Sequence, residues 1–329
     1  MKVPPQALCL DHKEPLTPNS GDRVEDASAL VCSSGCEIRN VRGIPRFVDS
    51  SNYAAAFGLQ WNMFPKTQLD SYTGTTIFRD RLIRVLGGSL DAVREKSVLE
   101  AGCGPGAFTE VLLDAGARVF AVDLSKAVEA NHANFSNRSN YFVCQANIMN
   151  LPAAQASFDV VLCLGVIQHT QDPEATITTL AKYVKPGGSL VIDHYAFNYP
   201  YTWSRRMLRP VLMRLPGQFA TRLTLAMAKA LLKIHQLTWN KRRGVWRLRV
   251  FLLRHSPLLD HYDDYPQLQR KVVGEWSILN THDTLLDRYK HLRSAEQIRE
   301  CLLTCGLTDI EVSYGGNGVE ARARTPLYT

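Results

Sequence analysis

Three glycines at alternating positions, Gly102, Gly104 and Gly106, lie between a short apolar run, Val98 to Ala101, and a helical pattern that begins at Ala107. Only glycine lets the backbone of such a strand-to-helix turn come close to a ligand, and the helix that follows offers unpaired N–H donors. A dinucleotide loop of the form G-x-G-x-x-G has its third glycine one residue later, so this loop is of another kind. Beyond it, Asp123 closes the next strand-like run, Val119-Phe120-Ala121-Val122. A carboxylate at that strand tip can accept both hydroxyls of a ribose.

Three histidines are candidates for moving a proton: first His169, just past the run 158–164, then His194 at the end of the run 189–192 and His282 further on. Each can also be read as a packing or helix-start histidine. Two pairs, Cys9-x-x-His12 and Cys32-x-x-x-Cys36, offer four tetrahedral metal ligands. Their spacing is irregular for two knuckles, so a ribbon that folds without metal is the alternative. Cys163 inside a strand and Cys103 on the glycine loop are both poorly placed for nucleophilic catalysis.

The elements that must position these groups follow a rhythm. Short β-type runs at 98–101, 119–122, 141–144, 158–164 and 189–192 alternate with helical patterns at 107–115, 126–135 and 173–184. Strand and helix in repeated alternation predict a parallel α/β sheet. A helical run at 294–305, then 309–314 and 319–324 joined by Gly315-Gly316-Asn317-Gly318, predict a final hairpin with an antiparallel last strand. The expected fold is a doubly wound, mostly parallel seven-stranded sheet. Its parts are a leader (1–50), an N-terminal helical lid (51–96), the core (97–195), a helical insertion after the fifth strand (196–293) and a completing helix and hairpin (294–329).

The chain has 329 residues, 45% of them hydrophobic and 21% charged, a globular composition that excludes a disordered or fibrous protein. Eight cysteines are too few for a disulfide scaffold, and the N-terminus lacks the apolar run of a signal peptide, so a cytoplasmic protein is expected. The net charge of +7 is unevenly placed. From Asp193 to Asp260 there is no acidic residue between the two, while thirteen Lys and Arg lie there, which leaves the rest of the chain at 7 − 13 = −6. The positive charge therefore belongs to the insertion, and it predicts an anionic acceptor or membrane surface. Within the insertion, Gln218, Arg222, Lys229, Lys233, Gln236 and Asn240 form one polar stripe on an otherwise apolar helix. Such a helix is either buried, the favoured expectation, or lies in a membrane interface. Lys241-Arg242-Arg243, Arg247, Arg249 and Arg254 make a basic rim with Trp239 and Trp246.

Glu100-x-Gly102-x-Gly104-x-Gly106 followed by a strand ending in Asp123 resembles the class I S-adenosylmethionine-dependent methyltransferases. Phe158 to Thr170 and Lys185-Pro186-Gly187-Gly188 extend the likeness over 97–195. The resemblance implies that Glu100, Gly102, Cys103, Gly104 and Gly106 hold the amino acid end of S-adenosylmethionine. Asp123 would hold its ribose and Asn147 its adenine, with Leu124, Ile148 and Leu164 beside them. Asn147 stands where the family usually has Asp, and could still accept from the adenine amine through its carbonyl oxygen. The stretch around His169 is similar to a block of ubiquinone-pathway O-methyltransferases, but Gly165 and Gln168 replace its acidic residues, which speaks against divalent-metal assistance.

Phe57-Gly58-Leu59-Gln60-Trp61 with Thr67-Gln68-Leu69-Asp70-Ser71 resembles a segment of bacterial methyltransferases often encoded near polysaccharide genes. Gln60, Trp61 and Thr67 are expected to close over the donor, with Arg81 reaching its carboxylate. The leader resembles a small zinc ribbon, which implies structural zinc on Cys9, His12, Cys32 and Cys36. The reading is a methyltransferase acting on a hydroxyl of a small-molecule, sugar or lipid-linked acceptor, with peripheral contact to an anionic membrane through 203–254. The alternatives are an RNA methyltransferase using the ribbon and basic rim, and a non-catalytic scaffold or membrane adaptor.

Overall fold

The structure, a computed structural model, describes residues 3–19, 29–49, 52–197, 199, 202–239 and 244–327. The sheet is built from runs buried on both faces, as parallel strands covered by helices must be. Its strands are β1 (Ser97–Ala101), β2 (Arg118–Asp123), β3 (Tyr141–Gln145), β4 (Phe158–Cys163), β5 (Val184–Tyr195), β6 (Thr308–Gly315) and β7 (Gly318–Arg324). Their order across the sheet is β6-β7-β5-β4-β1-β2-β3. The first five are mutually parallel, and β7 runs antiparallel to both β5 and β6. This is the expected doubly wound sheet with its reversed last strand. Alternate residues feed two cores: Val98, Val119 and Ala121 on one face, Leu99, Phe120 and Val122 on the other.

The helices are α1 (Ala55–Met63), α2 (Asp70–Thr73), α3 (Ile77–Val85), α4 (Ala107–Asp114), α5 (Ala127–Phe135), α6 (Pro173–Ala181), α7 (Trp203–Leu212), α8 (Gly217–Gln236), α9 (Trp246–His255), α10 (Arg270–Leu286) and α11 (Ala295–Thr304). Local chemistry fixes several ends. Asp172 caps α6 with Pro173 in its first turn, and Ser294 with Gln297 forms a capping box on α11.

Two expectations about the insertion are corrected. Helix α8 is not buried all round: Thr221, Thr224, Leu225, Ala228, Leu232 and His235 face inward, while Phe219, Leu223 and Ile234 share the outer side with its cations. Nor is the basic segment one continuous rim. Arg249 is 1% exposed and bonds Asp260 and Asp263, and Arg205 bonds the carbonyls of Pro257 and Leu258. Trp239 is core, stacked on Tyr262 at 4.6 Å, whereas Trp246 is 54% exposed. Asn240, Lys241, Arg242 and Arg243 lie outside the described residues.

Candidate active site

A cavity of about 1000 Å³ opens along the C-terminal ends of the parallel strands, where ligands bind in open α/β sheets. It is lined by Gly102, Cys103 and Gly104 after β1, Asp123 and Leu124 after β2, Asn147 and Ile148 after β3, and Leu164, Gly165 and His169 after β4. Trp61 and Arg81 complete the residues that the sequence placed there. The three glycines serve different ends. A side chain on Gly102 would lie 2.3 Å from Val166 and one on Gly106 would lie 2.2 Å from Phe135, so these two permit packing. At Gly104 the nearest atom is Trp61 Nε1, at 3.7 Å, so this glycine keeps open the space between loop and indole.

Asp123 accepts the Gly104 N–H at 3.0 Å and the Ser125 N–H at 2.7 Å. Burial raises its carboxyl above the usual range, against these bonds that lower it. Glu100 does not line the cavity. It is 3% exposed, accepts from Thr109 at 2.6 Å, and burial pushes its carboxyl up to about 8. Thr109 in turn meets Asn131, whose amide donates to the Gly104 carbonyl. Glu100 thus braces the loop from behind. Asn147 lines the cavity, yet its side-chain oxygen already accepts the Met149 N–H at 3.0 Å.

The segment expected to form a lid divides. Asn52 and Asn62 tie α1 and its approach to the carbonyls of Leu124 and Lys126, which sets Trp61 over the loop. Gln60 and Thr67 turn the other way. Gln60 is 1% exposed and meets His282 Nδ1 at 2.6 Å, and Thr67 donates to Glu275 at 2.8 Å. Both hold α1 and its sequel against α10 instead of reaching the cavity. Arg81 reaches the cavity wall already ion-paired with Asp193, and lies 3.8 Å from Glu320.

The three histidines separate sharply. His194 is buried with Nδ1 on the Tyr195 carbonyl, and His282 is buried between Gln60 and Thr221. Burial lowers each to about 4, and neither lines the cavity. On α10 the cavity face is Trp276, Leu279, Asn280, Asp283 and Thr284, and helical periodicity turns His282 away from it. His169 alone lines the cavity. Its Nδ1 lies 3.2 Å from the Tyr289 carbonyl and 3.3 Å from Asp287, and its ring meets Phe57 and Tyr195 edge-on. Burial alone would lower its pKa, but Asp287 and Asp283 outweigh it and leave it raised. Asp287 is held low, against its burial, by His169, Lys290 and Arg209.

Sequence reasoning missed Asp287, Tyr195 and Tyr199 as site residues. Tyr199, soon after β5, lines the cavity, and its neighbours Asn198, Pro200 and Tyr201 lie outside the described residues. An i, i+4 pair of aspartates at the end of a polar-faced helix, Asp283 and Asp287, is the signal that could have found the dyad.

In the leader, the ligand atoms of Cys9, His12, Cys32 and Cys36 all lie within 4.8 Å of one another. His12 Nδ1 is 3.5 Å from Cys32 Sγ and 3.3 Å from Cys36 Sγ. Hydrogen bonding to Cys9, burial and Asp11 push the Cys36 thiol to about 12. Thiols this close resist joint ionisation, and a tetrahedral cation that needs thiolates would relieve the crowding.

Sheet order, glycine loop and strand-tip carboxylate together define the donor-binding domain of a class I S-adenosylmethionine-dependent methyltransferase, and residues 99–192 match the methyltransferase domain family. The chain carries that domain. It is 39% identical over 103 residues to a ubiquinone biosynthesis O-methyltransferase of Idiomarina loihiensis, which spans 30% of this chain and 42% of that protein. It is 28% identical over 195 residues to the ubiquinone biosynthesis O-methyltransferase of Coxiella burnetii, covering 58% of this chain and 79% of the relative. Among solved structures it is similar to Haemonchus contortus phosphoethanolamine N-methyltransferase 2, at 15% identity and a TM-score of 0.47, over 84% of this chain and 48% of that one.

The donor-side geometry fits S-adenosylmethionine: a glycine held open beneath an indole, an anionic strand tip, and a cavity larger than one nucleoside requires. Adding the donor is expected to quench tryptophan fluorescence, and Trp61→Phe to remove most of that change. A quench unaltered in Trp61→Phe would place the donor away from this loop.

Proposed function

We propose that the chain transfers a methyl group from S-adenosylmethionine to a hydroxyl of a small, lipid-linked acceptor, with His169 as the general base. The observation that carries this reading is the His169–Asp287 pair on the cavity wall. Bound in the cavity, the donor supplies an electrophilic methyl group for in-line displacement. The protein's part is to align the acceptor and take its proton. With Nδ1 engaged by Asp287 and the Tyr289 carbonyl, Nε2 is the nitrogen that serves an acceptor hydroxyl. The Tyr289 carbonyl, accepting from Nδ1, fixes the tautomer, Asp287 beside it stabilises the imidazolium as it forms, and Asp283 adds a second negative charge nearby. Phe57, Tyr53 and Tyr195 crowd that end of the cavity and limit water.

Oxygen as the methylated atom is supported by the names of the relatives, both O-methyltransferases. A lipid-linked acceptor is supported by the insertion's exposed mixture of cations and large apolar side chains, which RNA, read through phosphates alone, does not call for. The test is a labelled-methyl assay on cell extract separated into lipid, glycan, RNA and small-molecule pools. Label in the lipid pool, lost in His169→Ala, is expected; label in RNA overturns the acceptor reading. Absence of donor binding would return the chain to a scaffold.

We also infer that the leader holds one structural zinc on Cys9, His12, Cys32 and Cys36. Purified protein is expected to carry about one zinc per chain, falling by more than half in a Cys32→Ser, Cys36→Ser double variant. Metal-free protein with an unchanged melting temperature would overturn this.

A further inference from the structure

We propose that the outward faces of α7, α8 and α9 form a membrane-docking surface that lies on anionic lipid head groups. On α7 the exposed residues are Trp203, Arg206, Met207, Pro210 and Val211, a single helical face. On α8 they include Phe219, Leu223 and Ile234, interleaved with Arg222, Lys229 and Lys233. On α9 the pattern is more extreme. Trp246, Leu248, Val250, Phe251 and Leu253 are all exposed, and the one buried side chain is Arg249. Its ion pairs with Asp260 and Asp263, both within 3.1 Å, fasten the helix and leave its apolar residues turned outward. The Trp203 indole donates to His255, which links α7 to α9.

Water-soluble monomers rarely leave so many large apolar side chains of neighbouring elements uncovered, and the covering partner can be argued from charge. No acidic residue lies between Asp193 and Asp260, so none of the three helices carries one. Protein interfaces are depleted of lysine and mix the two signs at their rim, whereas cations flanking an apolar ridge match a bilayer with anionic lipids. Among the described residues no helix is long and apolar enough to cross a membrane, so the surface lies on the bilayer and does not span it.

The same segment builds the acceptor side of the cavity. Arg209 of α7 bonds Asp287, and Leu259, His261 and Tyr265, soon after α9, line the cavity. Docking therefore brings the cavity wall to the membrane. In naming the membrane as the acceptor's source, the inference rests on the lipid-linked reading above; the docking itself does not.

The test is cosedimentation of the full chain with vesicles of phosphatidylcholine alone or with roughly 30 mol% phosphatidylglycerol, at low and at high salt. Binding is expected only with phosphatidylglycerol, weaker at high salt. It should weaken at least about tenfold in Trp246→Asp, Phe251→Asp, since two large side chains leave the interface. Donor affinity and melting temperature serve as controls that the variant folds. No binding to either vesicle, or binding unchanged in the variant, overturns the surface. So does a stable dimer that the variant dissociates and that binds no vesicles, because the apolar faces would then meet a second copy. Vesicle binding without label in the lipid pool supports docking and removes the lipid-linked acceptor instead.

Discussion

Replacing His169 with alanine is expected to lower kcat by about 10²- to 10⁴-fold, the range for loss of a positioned general base, with donor affinity nearly unchanged. The pH profile gives the more specific reading. A base acts in its deprotonated form, so the rate should rise with pH through the pKa of His169. That value is raised above 6.5, burial being outweighed by Asp287 and Asp283, so the acid limb should lie above 6.5. Asp287→Asn removes a charge that favours the imidazolium and should move the limb to lower pH while also reducing kcat. An unaltered limb in Asp287→Asn, or unchanged turnover in His169→Ala at saturating donor, would show that another group takes the proton. Asp287 also meets Arg209 and Lys290, so melting temperatures must accompany both rates.

The second large effect concerns Asp123. Its carboxylate sits at the tip of β2 with the Gly104 and Ser125 amides, and remains on the cavity wall to accept further hydrogen bonds. Asp123→Ala should weaken donor binding by about 10- to 150-fold, the equivalent of one charge-assisted hydrogen bond, as measured by calorimetry. Ser125→Ala removes a hydroxyl that donates to Asp123 and accepts from the Ala127 N–H but does not line the cavity, and should change affinity far less. A donor affinity within threefold of wild type in Asp123→Ala, roughly the scatter of surface substitutions, would sink the assignment.

These two residues mark where the sequence was legible. Asp123 belongs to a strand, a loop and a helix whose spacing is local, and β1 to β5 fell where their apolar runs lay. His169 is the first candidate from its place after β4, but its partner was not legible, because that partner sits in another element. Asp287 reaches it only through the packing of α10. Gln60 and Thr67 misled for a related reason. Polar side chains in an aromatic segment suggest a ligand, yet here they satisfy His282 and Glu275, which lie more than two hundred positions away. The insertion was misjudged in the opposite sense. Periodicity identifies an amphipathic helix but not which of its faces meets the body of the protein, and Trp239 and Trp246 look alike until Tyr262 is packed against one of them.

The docking of the leader on the core has one further effect. Strand β3 ends the sheet, and its hydrogen-bonding edge would otherwise be open near the C-terminal end. Phe47 donates to the Gln145 carbonyl at 2.8 Å, Arg46 bridges to Gln145 and Glu129, and Leu8 donates to the Pro152 carbonyl nearby. An uncovered edge strand is a template for pairing with another molecule. The leader thus covers part of an edge open to such pairing, and it does so beside the loop that carries Asn147.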